Sequence, residues 1–396
     1  MAEDQYPALD FDPFSDEFLT DPYPFHERLR EAGPVVWLER YRVWGMARHR
    51  QVNAALMNWE AFGSAAGVGL SNFSKEKPWR TPSIILEADP PLHTRTHKIL
   101  TRALSPMSLH SLRADFEHEA ERLVEELVER VTFDGVADLA RAYPLKIFPD
   151  ALGIAPEGRE ALLAYGEMVF NAFGPRNELF ERSMANAAAV TAAITAMCER
   201  DALDPSGIGA QVYRSVEEGV ISYDEARLLV RSLLSAGLDT TVSAIGNALY
   251  LLARNAGEWR TLRDNPQLVR TAFDEALRLE SPVQTFFRTT TRAFEVEGVR
   301  IPEGDKVLLF YGAANRDPRR WIDPNRFDIK RRSGGHVAFG TGVHRCVGEA
   351  LSRIEGECIL SALAARVKSL ALDGKPKLRL NNTLRGFETM GLTVKT

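Results

Sequence analysis

The residues best suited to chemistry gather around one cysteine. Phe339-Gly340-Thr341-Gly342-Val343-His344-Arg345-Cys346-Val347-Gly348 sets two glycines before Cys346 and one after it. The spacing predicts a helix over residues 347–366, which puts the thiol at the positive end of a helix dipole, where thiolate is favoured. Glycines let backbone amides approach the sulfur and take φ values that other residues resist. A single thiolate cushioned in this way suits a soft metal ligand, and haem iron is one such metal. A buried structural cysteine beside a glycine turn would satisfy the same residues.

A second group lies inside an apolar stretch, Ser235-Ala236-Gly237-Leu238-Asp239-Thr240-Thr241. An ionisable side chain and two hydroxyls are costly there unless each finds a partner, and Gly237 is poor helix material. One reading is a helix kink with Asp239 bonded to a nearby arginine. A third group, Glu275 and Arg278, places opposite charges at i, i+3 on one helix face. A fourth, His93 and His97, stands at i, i+4, a spacing that also occurs in metal pairs but has no third ligand signature here.

Taken together these groups resemble the cytochrome P450 family. Residues 339–348 fill every fixed position of its haem loop, F-G-x-G-x-H-x-C-x-G, and residues 236–240 match its oxygen-activation motif, A-G-x-D-T. Glu275 and Arg278 match E-x-x-R, for which Arg316 or Arg319 is the candidate third partner. The resemblance implies haem b with Cys346 as metal ligand and Phe339, Gly340 and Gly348 forming its loop. It implies propionate contacts from His93, Arg288 and His344, with His97 standing where the family usually has an arginine. It also implies that Asp239 and Thr240 deliver protons for O–O cleavage beside a groove opened by Gly237, and that Glu275 and Arg278 hold the core by a buried charge network. The activity implied is monooxygenation with electrons from a ferredoxin, itself reduced by a flavoprotein using NAD(P)H. Arg345, Lys98 and Arg102 are the candidate cations for steering an acidic ferredoxin.

Within the family, residues 67–71, 75–80, 170–175, 230–241, 281–288 and 381–386 look like those of soluble bacterial members that oxidise para-substituted benzoates such as 4-methoxybenzoate. That implies a carboxylate site at Arg80, Ser83 and Ser232, with Ser235, Arg231 and Tyr165 nearby. A carboxylate entering an apolar pocket needs such donors to replace its water. Phe170, Phe173 and Phe286 would grip the ring, and Val283 and Leu86 would fill the sides. Other substrates of the same chemistry, such as a cinnamate, a fused-ring acid or a phenol ether, and a non-catalytic haem module, are the competing readings. Asp239 and Thr240 speak against the last.

The rest of the chain must position these groups. Its 396 residues are 45% hydrophobic and 26% charged, an ordinary composition for a large core. No linker or repeat divides it, so one unit over 1–396 is expected: mainly α with small β-sheets (α+β), helix-rich at about 91–280 and β-rich at about 30–60 and 286–396. The family fold implied is a triangular helical prism around a buried haem. Periodicity predicts a long central helix over 223–255, opened by the Ser222/Glu225 capping box and stopped at Gly257. A net charge of −5 gives no reason to expect nucleic-acid binding. The acidic N-terminal stretch lacks the basic flank and apolar core of a signal peptide, and no run of about 18 apolar residues predicts a membrane span. Three cysteines without paired spacing argue against disulfides and zinc, with Cys198 and Cys358 as buried hydrophobes. A cytoplasmic monomer is the expectation.

Overall fold

The longest helix of the computed structural model, Tyr223–Arg254, spans about 48 Å. The structure describes residues 6–396, so the first five residues of the acidic N-terminal stretch lie outside it. The capping box forms in both directions: Ser222 Oγ accepts from the Glu225 amide and Glu225 Oε2 accepts from the Ser222 amide. The other end differs from expectation. Asn255 caps the helix, and Gly257 lies inside the following helix, Ala256–Asp264. Leu229, Leu234, Leu238, Ile245 and Leu249 on the long helix are fully buried, each contributing roughly 2 kcal/mol. By length and hydropathy this helix alone, among the described residues, would suffice to cross a bilayer, although the sequence predicts no membrane span. Two thirds of its most apolar window is buried inside the protein, as a core helix requires.

Pro106–Arg130 packs on Glu349–Arg366, and around the central helix lie Glu160–Asn171, Ile208–Glu217, Val269–Glu280 and Glu349–Arg366. The last two lie against each other and against the central helix. Gly356 is where Phe273 reaches across, since a Cβ there would stand 2.5 Å from the ring.

The β-rich ends of the chain meet in one six-stranded sheet, in the order Ala8–Leu9, Val36–Leu38, Val43–Met46, Lys306–Phe310, Thr285–Thr290, Phe62–Gly63. Val43–Met46 runs parallel to Lys306–Phe310, which pairs antiparallel with Thr285–Thr290, so Phe286 faces Leu309 and Arg288 faces Val307. A turn at Glu297 and Gly298 joins the hairpin Phe294–Val296/Val299–Ile301, both turn residues having positive φ.

The C-terminus is a hairpin only in part. Lys377–Arg379 pairs with Gly386–Thr389, but Gly391–Lys395 lies between Ser369–Leu372 and Thr132–Asp134. That last strand, and the π-helical turn Gly135–Arg141 after it, interrupt the α-helices of a region expected to be helix-rich.

Candidate active site

The cysteine loop closes on itself through the Cys346 amide, which donates to Phe339 O at 2.9 Å. Gly340 and Gly342 take φ of 65° and 72°, and a Cβ on Gly342 would lie 2.5 Å from Leu56 O. Glu349–Arg366 starts three residues after the thiol. Arg353 braces the loop from this helix, stacking over Phe339 with its guanidinium carbon 4.9 Å from the ring centroid and bonding Asp274 at 2.8 Å. Sγ opens onto an internal chamber and is otherwise enclosed. Burial therefore outweighs the Gly348 N–H and pushes the thiol up to about 11. A cation bound at the sulfur would favour the thiolate.

The chamber lies between this loop and the central helix. Cys346, Phe339, Gly340 and Gly348 form its floor. His93, His97, His344 and Arg288 converge at one side, the His93 and His344 rings 4.2 Å apart and His93 and His97 5.2 Å apart. Burial pushes His93 down to about 3 and also lowers His344. His344 Nε2 lies 3.2 Å from Asp89 Oδ1. Burial alone would raise the Asp89 carboxyl, but His344 and the Ser64 and Ala65 amides hold it below the usual range. Buried donors facing a cavity beside one accessible sulfur suit a flat, dianionic, iron-bearing ring, so the residues present fit a haem.

The opposite wall is the central helix. Ser232, Ser235, Gly237, Thr240 and Thr241 line the chamber. Both threonines satisfy their hydroxyls on carbonyls four residues back, Thr240 on Ala236 O at 2.6 Å and Thr241 on Gly237 O at 3.0 Å, and the helix runs unbroken. Gly237 has a packing reason as well as a place on the wall: a Cβ would stand 2.2 Å from Phe148 Cζ. Asp239 does not reach the chamber. It is 1% exposed, and Oδ1 accepts from Arg379 Nη1 at 2.9 Å while Oδ2 has no partner. Glu355, on the helix after the cysteine, does line it, with its carboxyl pushed well above the ordinary range by burial. Sequence reasoning passed over Glu355, although an acid buried on a mostly apolar helix face was the available signal.

The far end is apolar except for one corner. Phe170, Phe173, Phe286, Val283 and Leu86 line it, Phe173 lying 5.8 Å from Phe170 and 5.5 Å from Phe286, both edge-on. The corner is made by Arg80, Ser83 and Ser232, with the two serine hydroxyls 2.9 Å apart. Arg231 and Tyr165 stand behind this wall and not on it. Arg231 Nη2 donates to Thr81 O at 2.7 Å, and Tyr165 is 2% exposed. Arg80 is already paired with Glu87, Nη1 to Oε2 at 3.2 Å, a partner the sequence reading missed.

Glu275 and Arg278 form a fully buried bidentate pair at 2.8 Å. The third partner is neither Arg316 nor Arg319. Arg331 Nε donates to Glu275 Oε1 at 2.9 Å and Ser333 Oγ to Oε2 at 2.8 Å. Arg316 bonds Glu280 instead, and Arg319 bonds Glu31 and Asp317. The segment after Arg316 loops back over the helix carrying Glu275, which brings Arg331 and not its neighbours within reach. Of the three candidate steering cations, Arg345 is paired with Glu349 and Arg102 with Glu218, leaving Lys98 without an ion pair among the described residues.

Comparison with known proteins finds the same architecture. The Cytochrome P450 family model matches residues 258–387. Cytochrome p450 CYP199A2 of Rhodopseudomonas palustris is 54% identical over 97% of this chain and 93% of its own. Among solved structures, cytochrome P450 CYP109Q5 from Chondromyces apiculatus superposes with a TM-score of 0.83 at 28% identity, over 98% of each chain. Cytochrome P450 CREJ in complex with (4-ethylphenyl) dihydrogen phosphate gives 0.86 at 26% identity, over 97% of this chain and 99% of that one.

Proposed function

The chain belongs to the cytochrome P450 family, a haem-thiolate monooxygenase by descent, and from that premise we propose that it oxidises the para substituent of an aromatic carboxylic acid, 4-methoxybenzoate being the model substrate. Cys346 is the proposed thiolate ligand, and His93, His97, Arg288 and His344 are the proposed donors to the propionates. When bound, the haem supplies reductive activation of O2 and an oxidant strong enough for C–H bonds.

The observation that carries the substrate class is the corner of Arg80, Ser83 and Ser232 in an otherwise apolar end of the chamber. Three donors there compensate one desolvated carboxylate. The edge-on phenylalanines take the ring, and a para group then points along the chamber towards Cys346. That CREJ is solved with a para-substituted aryl phosphate supports a related arrangement, an anionic head with a para-alkyl ring. Thr240, on the wall, holds a hydroxyl that is free to exchange its carbonyl partner for a group in the chamber. Asp239, behind it, is the proposed carboxylate for proton supply. The balanced reaction on a methyl ether is Ar–OCH3 + O2 + 2e⁻ + 2H⁺ → Ar–OCH2OH + H2O, and the hemiacetal collapses to the phenol and formaldehyde. Electrons come from outside the chain, and a ferredoxin with an NAD(P)H-dependent reductase is the proposed source.

The test is an absorbance titration of the haem-loaded protein with 4-methoxybenzoate and with its methyl ester. The acid is expected to shift the haem spectrum at concentrations at least about tenfold lower than the ester, matching loss of one charge-assisted interaction. Equal affinities would remove the carboxylate site.

A further inference from the structure

The corner proposed to hold the substrate carboxylate already contains a carboxylate of the protein. Arg80 and Glu87 form an ion pair with side chains 9% and 3% exposed, Nη1 to Oε2 at 3.2 Å and Nη2 to Oε1 at 3.5 Å. Glu87 is held independently, because Oε2 also accepts the Ser83 amide at 2.6 Å. Ser83 is itself a wall residue and shares a hydrogen bond with Ser232. Arg231 binds the same short segment from the other side, through Thr81 O at 2.7 Å and Pro82 O at 3.4 Å, and has no ion-pair partner among the described residues. Two guanidiniums and one carboxylate are thus gathered on residues 80–87 and the central helix, leaving a single net positive charge. Arg80 Nε remains without a partner.

We propose that Glu87 is a specificity-determining residue: with Arg80 and Arg231 it sets the corner to one positive charge, so that the chamber accepts one carboxylate, and Arg231 acts through that charge without touching the substrate. The inference rests on the aromatic-acid reading above. In a low-dielectric corner an excess charge is felt over several ångströms, so removing Glu87 strengthens anion binding and removing either arginine weakens it. Of the three charged residues, a site that worked only by direct contact would respond to Arg80 alone. Because Glu87 also orients the Ser83 amide, Glu87→Gln is the informative change, since the amide oxygen keeps that hydrogen bond while the charge is lost.

The experiment measures dissociation constants of 4-methoxybenzoate and its methyl ester by equilibrium dialysis on the haem-loaded protein. It uses the wild type, Glu87→Gln, Arg80→Gln, Arg231→Gln and the double variant Arg80→Gln/Glu87→Gln. The ester reports pocket integrity. The acid-over-ester preference is expected to rise about tenfold in Glu87→Gln and to fall about tenfold in Arg80→Gln and in Arg231→Gln. In the double variant it returns to within about threefold of the wild type. If the wild type shows no preference for the acid, the aromatic-acid reading falls and this inference with it. If the wild type prefers the acid but the double variant stays at the level of Arg80→Gln, the charge balance is overturned and the direct anchor stands. Should Glu87→Gln lose ester binding, Arg231→Gln decides alone: an unchanged preference overturns the proposal.

Discussion

Arg379 reaches from the C-terminal hairpin to Asp239 on the central helix, Nη1 to Oδ1 at 2.9 Å, and is the only ion-pair partner of that acid among the described residues. Asp239 is 1% exposed with one oxygen unpaired, so the pair sits where a lone charge is costly. Arg379→Ala is expected to destabilise the haem-loaded protein by about 3–5 kcal/mol, measured by urea unfolding. Adding Asp239→Asn should restore more than half of the loss. A double variant as unstable as the single one would mean that Arg379 matters through other contacts.

Glu280 gives a pH signature. Tyr23 Oη donates to it at 2.7 Å, Arg385 Nε at 2.9 Å and Arg316 Nη2 at 3.1 Å. Burial alone would raise its carboxyl, but the two arginines and Tyr23 hold it below the usual carboxylate range. A depressed acid contributes stability that is fully present above its unfolded value, 4.5, and is lost as pH falls through the folded value. Glu280→Gln should therefore be less stable than the wild type at neutral pH, and the gap should close as pH is lowered below about 4.5. Unfolding curves from pH 7 downwards test this; a gap that is constant with pH contradicts it.

Arg331 and Arg319 separate the buried network from the surface. Arg331 is 13% exposed and bonds Glu275, which is fully buried. Arg319 is 41% exposed and its partner Glu31 60%. Arg331→Ala should cost about 3 kcal/mol, and Arg319→Ala no more than about 1 kcal/mol. Comparable losses in thermal unfolding would return Arg319 to the network.

How far these contacts are legible in sequence depends on their separation along the chain. The cysteine loop, the Ser222/Glu225 box and the pair Glu275/Arg278 are written within ten residues, and the contacts of each form locally. Arg379 with Asp239, Arg331 with Glu275, and Thr132–Asp134 beside Gly391–Lys395 join residues dozens to hundreds apart. No periodicity specifies such pairings, which depend on how loops return over helices. Arg80 was legible as a cation near the pocket, while its pairing with Glu87 was not, because a turn between them folds the six intervening positions back on themselves.

Gly237 distinguishes packing from access. A Cβ there meets the Phe148 ring at 2.2 Å, so Gly237→Ala should destabilise by about 1–3 kcal/mol through overpacking. Phe148→Leu in the same chain should relieve most of it. Stability unaffected by Gly237→Ala would leave the groove as the sole reason for the glycine.

The central claim is that an aromatic acid is held by its carboxylate with its para substituent facing the thiolate-bound iron. It is tested most directly by turnover of 4-methylbenzoate with isotopically labelled O2, a ferredoxin, its reductase and NADH. The account predicts 4-(hydroxymethyl)benzoate carrying one labelled oxygen on the benzylic carbon, with no ring hydroxylation. Oxidation on the ring, an unlabelled hydroxyl, or equal turnover of the methyl ester would contradict it.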